Sequence, residues 1–275
     1  MILEIGNIYY YLSLILMILL TVCLFFLLRG KSDKTIKITL LGLAIFNFLL
    51  HFLKILHPSY MENIRLSLIR MSIENICALT TILLPFAILF KNKIIKSYVY
   101  LISFLGGLMA VIISTDPIGK PIYEFNSIRY YICHYILFIT PILACLLKEF
   151  KPEIKHALWM PLMFLAGETI ILINELFLWK VGLVDYNIST FLSADFRNAA
   201  FVFGPNGSGQ ALTDTFMILV PKLFRTNVFG IEGVGDFYWP VVWLLIPSII
   251  FFPIAYFILI LPFTYKEVKL IFKRN

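Results

Sequence analysis

The sequence predicts an all-α fold: a polytopic membrane helical bundle of about seven transmembrane helices, N-terminus outside and C-terminus inside. Three observations predict it. Of 275 residues, 60% are hydrophobic and only 14% are charged, where an ordinary soluble domain has roughly 25% charged residues. The mean hydropathy is +0.91, and the apolar residues fall in runs close to the roughly 20 that a helix needs to cross the hydrocarbon core. The basic residues gather in short segments between those runs, which is how orientation in a membrane is set.

The elements follow in order. Ile8–Leu28 is the first span; basic residues follow it without a small-residue cleavage motif, so it reads as a retained helix rather than a signal peptide. Ile38–Leu56, Met71–Phe90, Ser97–Thr115, Tyr130–Leu147 and Ala157–Trp179 are the next five. Phe237–Leu261 is the last, and Pro240, Pro247 and Pro253 predict kinks in it. Continuous apolar character, not amphipathic periodicity, identifies each one. The loops after spans one, three and five carry Arg29, Lys31, Lys34 and Lys37, then Lys91, Lys93 and Lys96, then Lys148, Lys151 and Lys155. Lys266, Lys269, Lys273 and Arg274 follow the last span, so more than half of the 23 basic residues lie on one side. That side is the inside. The whole chain, 1–275, reads as a single transmembrane domain with one long outer loop, 180–236. Within this loop Thr213–Leu223 is too short to span, and an interfacial or re-entrant helix is expected there.

Several function classes drop out. The net charge of +7 is spread through topogenic loops rather than gathered on a polar face, so no nucleic acid is expected as a partner. Cys23, Cys77, Cys133 and Cys145 all lie in apolar runs with no CxxC spacing, so neither a disulfide framework nor a metal site is expected. Gly204–Gln210 lacks the Lys-Ser/Thr ending of a phosphate loop and reads as a turn. Asn187-Ile-Ser and Asn206-Gly-Ser match glycosylation sequons, short patterns that arise easily by chance. No cofactor is expected.

Polar residues inside apolar spans are costly and mark candidate sites. They are Asn47 and His51 in span two; Glu74, Asn75, Cys77, Thr80 and Thr81 in span three; His134 in span five; and Glu168, Asn174 and Glu175 in span six, with Asp116 closing span four. With span three entering at about Met71, Cys77 is expected roughly 9 Å deep and His134 roughly 6 Å deep, at 1.5 Å per residue. Most strong polar groups fall in the outer half, which suggests one outward-opening cavity. Glu74, Cys77 and Thr81 are spaced to share one helix face, and Glu168 and Glu175 another. Each has a plainer role open to it: Cys77 as a packing residue, His134 as interhelical glue, Asp116 as a turn residue before Pro117. A thiolate beside an imidazole is nonetheless a nucleophile–base pair, and at bilayer depth its natural electrophile is a lipid ester.

The stretches Ser72-Ile-Glu-Asn-Ile-Cys77, Tyr100 to Ala110, Ser114-Thr-Asp-Pro117 and Arg129-Tyr-Tyr-Ile-Cys-His134 resemble the bacterial YwaF family of integral membrane proteins. That family is similar to eukaryotic transmembrane acyltransferases acting on ether phospholipids. The resemblance covers roughly residues 35–180 and implies a catalytic pair at Cys77 and His134, 57 residues apart. Asn75 stands where the family often has His, and Ile73 where it has Pro. The first expectation is therefore a cysteine-dependent lipid acyltransferase or hydrolase, forming a Cys-acyl thioester from membrane phospholipids. Glu74, Asn75, Asp116, Glu168, Glu175 and His51 would support it or line the pocket. The rival expectation is a transporter or binding protein for a polar or cationic solute, using Glu168, Glu175 and Glu74. A third is an assembly factor whose outer loop docks a partner. The richness in Ile, Lys, Asn and Phe suggests a bacterial plasma membrane.

Overall fold

A computed structural model describes residues 1–114, 116–185, 200–204, 217–227 and 237–273. Nine α-helices are defined among them: α1 (Ile8–Leu28), α2 (Asp33–Leu53), α3 (Pro58–Met61), α4 (Ile64–Met71), α5 (Ile76–Leu89), α6 (Lys93–Ile113), α7 (Phe125–Leu146), α8 (Met160–Lys180) and α9 (Leu245–Lys273). The described residues contain only isolated β-bridges and no strand. Six helical stretches are long and apolar enough to cross a membrane, and α4 with α5 make a seventh if that bent pair is one span. The all-α membrane bundle expected from the sequence is what forms.

Span boundaries follow local chemistry. Asn7 caps α1 by accepting from the Tyr10 N–H, and Ser32 caps α2 through Thr35. The last helix starts at Leu245 rather than Phe237, and Pro240 precedes it. Span three departs most from expectation. It is not one helix but two, bent by 57° about a break at 72–75. Most of the expected helix at Thr213–Leu223 lies outside the described residues; a 3-10 turn at Lys222–Phe224 is what the described part shows. The sequons and most of Gly204–Gln210 also lie outside them.

The chain forms two compact units. The first comprises Met1–His57, Thr80–Ile154 and Leu259–Asn275. Its centre is α7, packed against α1, α2 and α6. Tyr135 donates to the Ser13 carbonyl at 2.7 Å and Tyr10 to the Ile112 carbonyl at 2.8 Å, each tying α1 to a neighbour. At one end of this unit Leu3 N–H donates to the Lys120 carbonyl and Ile122 N–H to the Met1 carbonyl, joining the N-terminal segment to the α6–α7 loop. At the other end Lys93 pairs with Glu153 at 2.6 Å, and Lys96 with Glu149 at 2.9 Å. The second unit comprises Pro58–Leu79 and Lys155–Ile258. In it Phe164 of α8 stacks on Phe252 of α9 at 4.0 Å. Trp243, fully buried, donates from its indole nitrogen to the Phe201 carbonyl.

Candidate functional site

In the first unit, α7 fixes His134 by local geometry. The imidazole Nδ1 lies 2.7 Å from the Tyr130 carbonyl oxygen one turn earlier. A carbonyl can only accept, so Nδ1 carries the proton and Nε2 keeps its lone pair. The Tyr130 ring lies against the imidazole at 4.2 Å, and its own hydroxyl donates to the Ala110 carbonyl on α6. Behind the histidine, a Cβ on Gly107 would come 2.6 Å from the His134 carbonyl oxygen and 2.7 Å from the Phe138 nitrogen. Only a glycine lets α6 approach α7 this closely. Asp116, exposed in the turn after α6, and Arg129 are both within electrostatic reach of the imidazole. On α2, Asn47 donates to the Cys133 carbonyl at 3.3 Å, and His51 is buried one turn further along.

Cys77 belongs to the second unit, and its setting differs from the expected one. It stands in the first turn of α5, not two turns into a continuous span. Asn75 is the reason: its side chain accepts from the Ala78 N–H at 2.9 Å and starts a new helix. Ser72 ends α4, its hydroxyl donating to the Ile69 carbonyl. Asn174 of α8 holds the break itself, accepting from the Ile73 N–H and donating to the Ser72 hydroxyl. Glu74 therefore lies in non-helical backbone, and the expected helical face shared by Glu74, Cys77 and Thr81 does not exist. None of the four cysteines is in a disulfide.

The model of one protein family, the TMEM164 family, matches residues 6–203, well over half of the chain. The chain belongs to the TMEM164 family. No curated protein and no solved structure matches it significantly. Membership agrees with a multi-pass membrane protein; it carries neither the YwaF name nor acyl transfer.

The part of this TMEM164-family chain that matches runs from α1 through α8, so it holds Cys77, His134, Glu168 and Glu175 and leaves α9 outside. In α8, Glu168, Ile171, Glu175 and Leu178 form one buried face at helical spacing, as the sequence predicts for the two glutamates. Glu168 is 2% exposed, and its Oε2 has no hydrogen-bond partner among the described residues. Phe164, one turn before it, stacks on Phe252, and Ser248, one turn before Phe252, is also buried. The structure thus gathers the candidates into two groups: His134, Asp116 and His51 in one unit, and Glu74, Asn75, Cys77, Glu168 and Glu175 in the other. Gly107 and Tyr130, which fix His134, left no signal beyond an ordinary glycine and tyrosine in apolar runs.

Proposed function

We propose that this TMEM164-family protein is a membrane-embedded, cysteine-dependent acyltransferase or hydrolase of phospholipid esters. Cys77 is the nucleophile and His134 the general base and acid. The observation that carries this reading is the fixed tautomer of His134, whose Nε2 is held as a base by the Tyr130 carbonyl. Two further points support it. The order and spacing of Cys77 and His134 resemble the catalytic pair of the acyltransferase group. Cys77 also sits in the first turn of a helix, where the backbone dipole favours an anion such as a thiolate.

The step balances as follows. His134 Nε2 takes the Cys77 Sγ proton while Sγ attacks the acyl carbon. The ester C–O bond breaks, and the leaving alcohol takes the proton back from the imidazolium. Water or a lipid hydroxyl then attacks the thioester and gives its proton to Nε2; the C–S bond breaks, and the leaving Cys77 Sγ takes that proton back from the imidazolium. Asp116 offsets the transient imidazolium charge from the neighbouring turn. In the orientation read from the basic loops, N-terminus outside, this chemistry takes place in the outer leaflet of a bacterial plasma membrane.

The test is intact mass of the purified protein after incubation with mixed phospholipids, before and after hydroxylamine. A hydroxylamine-labile fatty-acyl adduct is expected, absent in Cys77→Ala and accumulating in His134→Ala if deacylation is the slower step. No adduct in either the wild type or His134→Ala overturns the reading.

One observation favours a second reading. The Glu168 Oε2, buried at mid-helix without a hydrogen-bond partner among the described residues, is what a proton or cation site in a transporter or binding protein would need. In that case Glu168→Gln abolishes function while Cys77→Ala leaves it intact.

A further inference from the structure

We propose that Glu168 of α8 and Ser248 of α9, in the second unit, form a binding site for a monovalent metal cation at mid-membrane depth. The two helices are consecutive spans, so they cross in opposite directions. Phe164 stacks on Phe252 at 4.0 Å, and this contact sets their register. One turn on in α8 is Glu168, and one turn back in α9 is Ser248, which puts the two side chains at one level on the facing sides. Both are buried, Glu168 at 2% and Ser248 at 1% exposure. All four residues belong to the second unit.

The chemistry of these groups decides the ligand. The Glu168 Oε2 has no hydrogen-bond partner among the described residues, and no charged group among them is in electrostatic reach of the carboxyl. The Ser248 hydroxyl spends its proton on the Leu245 carbonyl at 2.8 Å, so it offers only lone pairs to whatever faces it. Pro253 has no N–H, so the Ile249 carbonyl, next to Ser248, lacks the donor that a helical carbonyl ordinarily has. These spare polar atoms are all oxygen acceptors, and unfilled acceptors call for a donor or a cation. An ionised carboxylate alone in apolar surroundings is costly, and a bound cation offsets the cost. Oxygen ligands suit a hard cation, and one carboxylate neutralises one positive charge. Among the described residues no three His, Cys, Asp or Glu side chains come together to hold an ion of higher charge. A cation also bridges two oxygens that stand too far apart to bond each other, whereas a proton on Oε2 would still lack an acceptor. Glu168 lies about 12 Å along α8 from Met160, too deep for the ammonium of a lipid headgroup; a free ion fits that depth. This deepens the second reading above, and the site stands or falls by binding, whether or not the ion is then transported.

The test is binding of radioactive sodium and rubidium to the full chain purified in detergent, with choline chloride holding the ionic strength constant. Saturable binding of one of these ions is expected. Its affinity should fall about tenfold or more in Glu168→Gln and in Ser248→Ala, and stay unchanged in Thr169→Ala, an exposed position on the same helix. In the wild-type protein the same ion should protect Glu168 from the hydrophobic reagent dicyclohexylcarbodiimide, read by peptide mass mapping, which needs no substitution at all. No saturable binding of either ion, or equal affinity in folded Glu168→Gln and Ser248→Ala proteins, overturns the proposal. Carbodiimide labelling of Glu168 that neither ion slows makes the carboxyl a proton carrier and overturns it as well. Ion binding by a protein that takes up no ion after reconstitution into phospholipid vesicles removes the transporter and leaves the site standing. Ion binding unchanged in Cys77→Ala keeps the site separate from acyl transfer, whether or not the wild type forms an acyl adduct.

Discussion

His134 spends one ring nitrogen on its own helix; in the proposed mechanism the other is the base, so its neighbours should matter almost as much as the ring. Gly107 is the sharpest case. A methyl group there would meet the His134 carbonyl at 2.6 Å, and α6 or α7 would have to shift. Overpacking of this kind costs about 1–3 kcal/mol. Gly107→Ala should therefore lower the melting temperature in detergent and also the yield of acyl adduct, whereas Gly106→Ala, one position along α6, should do less. Asn75 makes a simpler statement. Its side chain caps α5 two residues before Cys77, and Asn75→Ala should cost about 1 kcal/mol, read as a lower melting temperature. Asn75→Asp or Asn75→Ser, which also cap helices, should recover most of it. If Asn75→Ser is as damaged as Asn75→Ala, the residue does something other than capping.

At the scale of elements, the spans were legible and the break was not. Ile8–Leu28 is the same in the sequence reading and in the structure, because an uninterrupted apolar run flanked by a capping Asn and basic residues leaves one solution. Met71–Phe90 reads equally apolar, yet Ser72 and Asn75 punctuate it, and a window average does not register two small polar residues. Their partner, Asn174, is 101 residues from Ile73 in sequence, beyond the reach of local pattern. The roles of Gly107, set against His134, and of Tyr130, bonded to Ala110, were hidden because each contact joins two different helices, while Cys77, His134 and the glutamates stood out because polar groups in apolar runs are rare. Asn174→Ala removes two hydrogen bonds from the break, about 1–2 kcal/mol at typical net values, and should be read in thermal unfolding. A second element-level feature is the pair Lys96–Glu149, with side chains only 10% and 9% exposed. Lys96→Met should cost about 3–5 kcal/mol by stranding a buried carboxylate, and adding Glu149→Leu should recover much of the loss. A double variant no more stable than Lys96→Met would show that the pair is not coupled in this way.

At the scale of the whole molecule, the first unit sorts its loops into two ends. The N-terminal segment and the α6–α7 loop share one, and the α5–α6 and α7–α8 segments, joined by Lys93–Glu153 and Lys96–Glu149, share the other. The basic loops read the second end as the cytoplasmic one. Alkaline phosphatase fused after Lys120 should then be active and, fused after Lys34 or Lys151, inactive; the opposite pattern would invert the topology while leaving the fold intact. The apolar spans follow from hydropathy, but the grouping into two units does not, because it depends on which apolar faces meet, and apolar faces look alike in sequence.

The broken span has a consequence during synthesis. Fourteen residues of α5 reach only about 21 Å, and the peptide groups at 72–75 need partners wherever water is absent. Asn174, which accepts from the Ile73 N–H and donates to the Ser72 hydroxyl, leaves the ribosome about five to twenty seconds after Ile73 at ordinary elongation rates. For that interval the nascent α4–α5 segment lacks the side chain that finally holds it. A chain truncated before α8 should be a preferred substrate for membrane proteases, and one truncated just after Lys180 and released should survive longer.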